Sequence, residues 1–492
     1  MCRGWKFAFL WLAWLGLSAR ISLAVEQEPW ERLIKALVDV YVTVQQEAAD
    51  PVHPDQAIYQ GAIPGLLRRL DPHSIFFDAN QFEQLKELEK STRKGFGSVV
   101  SVLPGRVIVL QCLPGTPSAK SGMAAGDEIL AINNIPLAQL DMEQLIELLS
   151  QSRQQQASLD VRRPGNARLL HFVLTPEEVA SPAVDRAFAL RPGIGYTRIT
   201  NFETETGEQL QKAIESLGGN QLKGLILDLR NNPGGVLPAA IQVCSLFLKP
   251  GAKILTIRGR SKQPEEILVP DSAKPYEFPL VVLINGKSAS ASEIVAGAIQ
   301  DHDRGQVLGE PSFGKGLVQS VYPLSAATGL ALTTAFYYTP SGRSIQRPLQ
   351  GGSLNQLISS PQLEYRTTKG RKVSGGGGIQ PDEIVLPEPL TRLRAVLDAS
   401  GILTTFASSY NLRHQVDEKF EVTPALLNEL QVFLSESRIR PSLAEWSAER
   451  PWIESRLKQE ILNQALGVEK GDQVELQRDP VVRRALKVLG VD

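Results

Sequence analysis

The sequence predicts a multidomain α/β protein, and three stretches of its 492 residues carry that prediction. Between residues 184 and 390 apolar runs alternate with helix-like ones: Leu225–Leu229, the helical Leu237–Leu248, Leu280–Ile284, the helical Ala291–Ile299 and Gln306–Gly309. Continuous apolar strands separated by helices are the pattern of βαβ crossovers, so a largely parallel sheet is expected. Residues 93–178 instead place short strands between Gly/Pro turns, and both ends of the chain have helical periodicity.

Taken in order, residues 1–24 read as a secretory signal. Arg3 and Lys6 precede the apolar run Phe7–Leu17, and Ser22-Leu23-Ala24 offers small residues for cleavage. The run falls short of the about 20 residues that a membrane span needs. A cleaved leader and an exported, periplasmic or otherwise extracytoplasmic protein are expected; an uncleaved, membrane-associated anchor is the alternative.

Residues 25–92 are expected to form a helical module. Trp30, Leu33, Ile34, Leu37, Val38 and Tyr41 recur at helical spacing, and Asp55 is the expected cap of a helix facing Ile58, Tyr59, Ala62, Ile63, Leu66, Leu67 and Leu70. The module closes on the turn Leu70-Asp-Pro-His-Ser. A small β domain is expected over 93–178, with strands Val99–Leu103, Val107–Leu110, Ile129–Ile132 and Leu169–Leu174 and a helix Met142–Leu149. The α/β core spans 179–394, and Gly375–Gly378 reads as a flexible hinge within it. From 395 to 492 the chain is helical: Ser442-Leu-Ala-Glu445 is a capping box ahead of Trp446, Ile453, Leu457 and Ile461, and Asp479-Pro480 starts the last helix.

Composition excludes several functions. A net charge of −1 with 21% charged residues leaves no polyelectrolyte surface, so nucleic acid is not an expected partner. His53, His73, His171, His302 and His414 are dispersed, with no zinc-ligand spacing, and Asp301-His302-Asp303 reads as a loop. No metal and no cofactor are expected. Cys2 departs with the signal, and Cys112 and Cys244 sit in apolar contexts as buried small hydrophobes without a disulfide framework.

The chemistry concentrates in residues 285–319. A serine is a poor nucleophile until a base lies within hydrogen-bond reach. Lysine can be that base when burial makes it neutral. Lys315 lies among Phe313, Gly314, Gly316, Leu317 and Val318, with no carboxylate adjacent in sequence to hold its charge, and Gln319 is placed to orient its amine. In a regular strand residues 315 and 319 stand about 13 Å apart, so their contact needs a kink near Gly314–Gly316. Ser290 precedes the Ala291–Ile299 run, where a helix N-terminus and the Ala291 amide favour a developing oxyanion. A second donor is available from the glycine-rich turn Asn231-Asn-Pro-Gly-Gly235. Taken singly, Ser290-Ala-Ser-Glu293 is a capping box, and the other motifs read as loops and turns.

Their combination carries a resemblance. Ser-Ala-Ser-Ala-Ser-Glu (288–293), Gly-Glu-Pro-Ser-Phe-Gly-Lys-Gly-Leu-Val-Gln (309–319), Asp-Leu-Arg-Asn-Asn-Pro-Gly-Gly (228–235), Tyr-Tyr-Thr-Pro-Ser-Gly-Arg-Ser-Ile-Gln (337–346), Gly-Ile-Gln-Pro-Asp (378–382) and Leu-Asp-Pro-His-Ser (70–74) occur in the order of the C-terminal processing peptidases, or tail-specific proteases. The chain resembles this family over roughly residues 30–390. The resemblance implies Ser290 as nucleophile, Lys315 as general base, Gln319 as its orienting partner, and Gly235 and Ala291 as the oxyanion hole. It also implies a crotonase-like, ClpP-like serine-protease core.

Lys94-Gly-Phe-Gly97 and Pro114–Asn133 resemble a PDZ domain. In that reading the amides of Gly95, Phe96 and Gly97 form a nest for a terminal carboxylate while a peptide adds along a strand edge. The expected partners are then protein substrates held by their C-terminal tails, with an adaptor or activator, and a homo-oligomer through the C-terminal helices, as further expectations. Two rival readings stand beside the exported endopeptidase: a catalytically silent PDZ adaptor, and an acyl-CoA enzyme of crotonase-like fold. The insert Arg347–Ser374 and the tail beyond 395 lie outside the shared pattern.

Overall fold

In a computed structural model of the chain, residues 30–50, 52–88, 92–260, 263–348 and 364–491 are described. The expected signal, residues 1–24, lies outside them, as does most of the 347–374 insert. Among the described residues no helix is long and apolar enough to cross a membrane. The chain divides into two compact units, 1–66 and 67–492.

In the first unit the expected helix spans Trp30–Glu47 and buries none of its own residues. The next helix does not begin from an Asp55 cap. Asp55 has helical backbone angles and makes no cap hydrogen bond, and Ala57 N–H already donates to His53 O at 3.0 Å. Pro54, pre-set for a first helical turn, moves the start upstream.

The expected helical module over 25–92 also contains a strand. Ile75–Phe77 pairs antiparallel with Gly329–Tyr338, placing Ile75 opposite Ala331, which draws this segment into the large unit. Gly329–Tyr338 is the spine of a five-stranded sheet: Leu317–Pro323 lines one side, and Ile75–Phe77 and Lys253–Gly259 share the other.

The four strands expected between residues 93 and 178 form, and a fifth, Ala157–Arg162, not expected from the sequence, joins them. Ser98–Leu103, Arg106–Cys112, Glu128–Ile132, Ala157–Arg162 and Leu170–Leu174 pair antiparallel in that order, leaving Ser98–Leu103 at an edge. The helix Met142–Ser152, capped by Asp141, sends Leu145 into a core of Val107, Val109, Ile129, Leu159 and Val161.

The central sheet runs Val184–Arg191, Ile194–Ile199, Gly224–Asp228, Leu280–Ile284, Gln306–Gly309, Glu383–Ile384. The first pair is antiparallel and every later pair parallel. Gly224–Asp228 and Leu280–Ile284 are buried at every position, as strands covered on both faces must be. On one face Leu225, Leu227, Val282 and Ile284 pack with Leu210, Ile214, Val243 and Val295 from three crossover helices. On the other, Ile226, Val281, Leu283 and Leu308 meet Val481, Val482, Ala485 and Leu486. These last four belong to Pro480–Val488, the final helix, which starts at Asp479 as the cap-then-proline signal predicts. The last helix of the tail is therefore the second layer of the core sheet, and its apolar face is not free for a second copy. Leu443–Leu466 begins from the Ser442 capping box and packs with Leu397, Phe406 and Leu430.

Gly375–Gly378 is a strap more than a hinge. Gly376 N–H donates to Ser344 O at 2.7 Å and Gly378 N–H to Ile345 O at 2.9 Å.

Candidate active site

Ser290 sits where the chain leaves Leu280–Ile284 and enters the helix Ala291–Asp301. Its backbone, at φ 54° and ψ −113°, lies outside the regions that L-residues prefer. Such a conformation costs roughly 1–3 kcal/mol and persists only where surrounding structure enforces it. Here the enforcement is local. Ser288 is fully buried and donates to Leu229 O at 2.7 Å, while Ser292, also fully buried, donates to Asn232 O at 3.0 Å. Asn285 and Asn231 exchange hydrogen bonds of 2.9 and 3.0 Å, stitching the serine turn to the Asn231–Gly235 loop. Of the three clustered serines, only Ser290 is left half-exposed.

Glu293 ties this turn to the lysine loop. It is fully buried; its Oε2 accepts from the N–H groups of Ser290 and Lys315, each at 2.9 Å. Its Oε1 accepts from Ser312 Oγ at 2.5 Å and Gly314 N–H at 2.7 Å. Burial pushes its pKa up, against the pull of these four donors. The Tyr337 hydroxyl adds a second tie, donating to Lys315 O at 2.7 Å and meeting Ser290 O at 3.2 Å. Gln346 Oε1 accepts from Gly316 N–H at 2.8 Å, and Ile379 N–H donates to Ser312 Oγ at 2.6 Å.

Lys315 lies in the loop just before Leu317–Pro323, and the ladder of that strand slips between Val318 and Gln319. That irregularity closes the strand-length gap. Lys315 Nζ donates to Gln319 Oε1 at 2.7 Å, and Gln319 Nε2 donates to His73 O at 2.7 Å. Burial holds the Lys315 pKa below the ordinary lysine value, while the charges of Asp71 and Glu293 draw it back up. Among the described residues no hydrogen bond joins the Ser290 hydroxyl directly to the Lys315 amine.

Beside Ser290, Gly234 makes the closest approach. A Cβ there would meet Ala289 O at 2.7 Å, Ser290 Cβ at 2.8 Å and Ala291 N at 2.9 Å. Its N–H is committed to Asn232 Oδ1 at 2.8 Å. Gly235, at φ 151°, bridges to Phe202. Among the described residues the N–H groups of Gly235 and Ala291 have no acceptor.

Gly95 ends the strand Thr92–Gly95, which pairs antiparallel with Glu177–Ala180 and sets Gly95 opposite Glu177, and Phe96 and Gly97 lead from it into Ser98–Leu103 of the β domain. Phe96 O accepts from Ser118 N–H at 2.9 Å and Gly97 O from Leu113 N–H at 2.8 Å. The Phe96 ring packs against the β-domain core. Gly97 has φ 75°, and a Cβ there would strike Thr116 at 2.2 Å.

The Asp301-His302-Asp303 run faces structural partners: Arg343 for Asp301, the Lys253 carbonyl for His302 and Arg371 for Asp303. Burial pushes both thiols up, Cys112 to about 11 and Cys244 further, so neither is a nucleophile at neutral pH.

Residues 193–352 match the model of peptidase family S41. The carboxy-terminal-processing protease of Bartonella bacilliformis is 35% identical over 345 residues, covering 69% of this chain and 78% of that protein. The chain belongs to the carboxy-terminal processing proteases of family S41. It is a protease, and residues 108–163 match the model of a PDZ domain. The carboxyl-terminal-processing protease of Synechocystis sp. is 32% identical over 310 residues, covering 62% of this chain and 72% of that one. Among solved structures, the photosystem II D1 C-terminal processing protease is similar at 27% identity and a TM-score of 0.40, covering 73% of this chain and 87% of that chain.

For a member of this family, sequence reasoning missed Glu293, Tyr337, Ser312 and Gln346 as supports of the site. Glu293 was visible as the last residue of a capping box, Ser312 in the 309–319 motif, and Tyr337 and Gln346 at the ends of the 337–346 motif. Nothing local in the sequence says that a helix-capping carboxylate also holds a loop 22 residues further on.

Proposed function

We propose that this chain is an exported serine endopeptidase that captures protein C-terminal tails with its PDZ domain and cuts them through an acyl-enzyme on Ser290. The single observation that carries this reading is the half-buried Lys315 amine aimed by Gln319 Oε1 at 2.7 Å, on a loop bound to the Ser290 turn through Glu293. Neutral Lys315 takes the Ser290 proton as the hydroxyl oxygen attacks the scissile carbonyl. The oxyanion is received by the free N–H groups of Gly235 and Ala291, at the positive end of the Ala291–Asp301 helix. Gly234, whose N–H is committed to Asn232, supplies the close approach and not the donor. Lys315 then returns the proton to the leaving amine and activates the water that deacylates Ser290. Catalytic hydrogen bonds commonly tighten only with substrate, and the Ser290–Lys315 contact is assigned to that step.

In the same reading the tail adds along the edge strand Ser98–Leu103, with its carboxylate in the nest of Gly95, Phe96 and Gly97. Residues 1–24 direct export, 93–178 form the PDZ domain and 179–394 the crotonase-like core. The test is cleavage of an unstructured reporter bearing an apolar C-terminal tail. Wild type should cut it, lose activity on a charged tail, and lose all activity as Ser290→Ala. Cleavage that survives in Ser290→Ala would show the catalytic assignment to be wrong.

A further inference from the structure

The motif Leu70-Asp-Pro-His-Ser has no role in the chemistry above, yet its carbonyl touches the catalytic machinery. The Gln319 amide can aim its oxygen at Lys315 in only one of two flip states. Oε1 accepts from Lys315 Nζ because Nε2 donates to His73 O, both at 2.7 Å; the flipped amide would set Oε1 against the His73 carbonyl, acceptor against acceptor. The His73 carbonyl is held in turn by Asp71, a carboxylate 1% exposed. Asp71 Oδ1 accepts from His73 N–H at 2.7 Å and Ser74 N–H at 2.8 Å, and Oδ2 accepts from Ser74 Oγ at 2.7 Å. Ser74 Oγ accepts from Thr333 N–H at 3.1 Å, and Thr333 is the cross-strand partner of Gln319. The turn is thus anchored to the ladder that carries the residue it orients.

We propose that Asp71 is a positioning residue for the proteolytic base: through the 71–74 turn it fixes the His73 carbonyl, hence the Gln319 amide, hence the direction of the Lys315 amine. The inference rests on the reading of Lys315 as base. Asp71 also acts through its charge. The groups that face Lys315 are Asp71, Glu293 and the His73 imidazole, with the Tyr337 hydroxyl on its carbonyl and Arg347 against Gly314. The negative Asp71 favours the ammonium form, so its removal lowers the Lys315 pKa further.

The experiment is the pH profile of kcat/KM on the tail reporter for Asp71→Asn and Ser74→Ala, with folding checked by circular dichroism. Asp71→Asn should lower the plateau between about 10- and 100-fold through misorientation and move the acid limb to lower pH. Ser74→Ala, which loosens the turn without changing charge, should lower the plateau and leave the limb in place. An unchanged plateau in either variant, or an Asp71→Asn limb that stays put, overturns the inference. If Asp71→Asn does not fold, the Ser74→Ala plateau decides. Ser290→Ala and Lys315→Ala are run alongside. Activity in either refutes the dyad itself, whereas silence in both with an unmoved Asp71→Asn profile refutes only the role of Asp71.

Discussion

Lys315 and Glu293 occupy one site under opposite demands. As the proposed base, the lysine must lose its charge, and burial favours the neutral form. The glutamate must hold four donors, and its full burial makes any lost partner expensive, at about 1–3 kcal/mol for each unsatisfied group. The lysine leads to a stability prediction. Its folded pKa lies below the ordinary 10.5, so between those two values the unfolded chain binds more protons and stability rises with pH. Below the folded value the penalty is fully present. Lys315→Met removes that penalty and should leave Tm at pH 7 unchanged or raised while abolishing cleavage. As pH is raised toward 10.5, wild type should gain in Tm relative to the variant. A large fall in Tm of Lys315→Met at pH 7 would mark the lysine as a structural ion-pair partner.

At the scale of elements, two loops and one turn converge because glycine lets them. Gly234, at φ 100°, has no room for a Cβ between the Asn232 loop and the Ser290 turn. Gly234→Ala should cost about 1–3 kcal/mol of stability through backbone strain. It should also reduce kcat by about 100-fold by displacing the turn, as measured by denaturant unfolding and reporter turnover. A fully active Gly234→Ala would mean that this approach is not needed for catalysis. The elements themselves were largely legible in the sequence, since apolar period and cap residues announce strands such as Leu280–Ile284 and helices such as Leu443–Leu466. The contact of Lys315 with Gln319 was legible only as a requirement for a kink, which the loop and the ladder slip at Val318–Gln319 satisfy. What stayed hidden was long-range. Asp55 looked like a cap because local rules favour aspartate, but Pro54 outranks it. The Gly375–Gly378 run looked flexible because its partners, Ser344 and Ile345, come from another segment.

For the whole molecule, the surprise is the tail. An amphipathic helix at the end of a chain carries no address for the surface it covers, and here Pro480–Val488 closes the second face of the central sheet. Arg230, two residues past the end of Gly224–Asp228, pairs with Asp228 and with Asp479 at 2.6 Å each, so the tail also braces the base of the Asn231–Gly235 loop. Leu486→Ala should therefore destabilise the protease core by about 2–5 kcal/mol, with the loss of activity and of sheet structure coinciding in urea. Separate transitions would show that the tail folds apart from the core. The chemical event proposed for this site is the acylation of Ser290. The most direct measurement quenches the reporter reaction with acid, which protonates Lys315 and halts deacylation, and maps the trapped adduct by peptide mass. An increment equal to the acyl half of the reporter should sit on Ser290. Product formation with no adduct, or an adduct on another residue, would contradict the assignment of Ser290 as nucleophile.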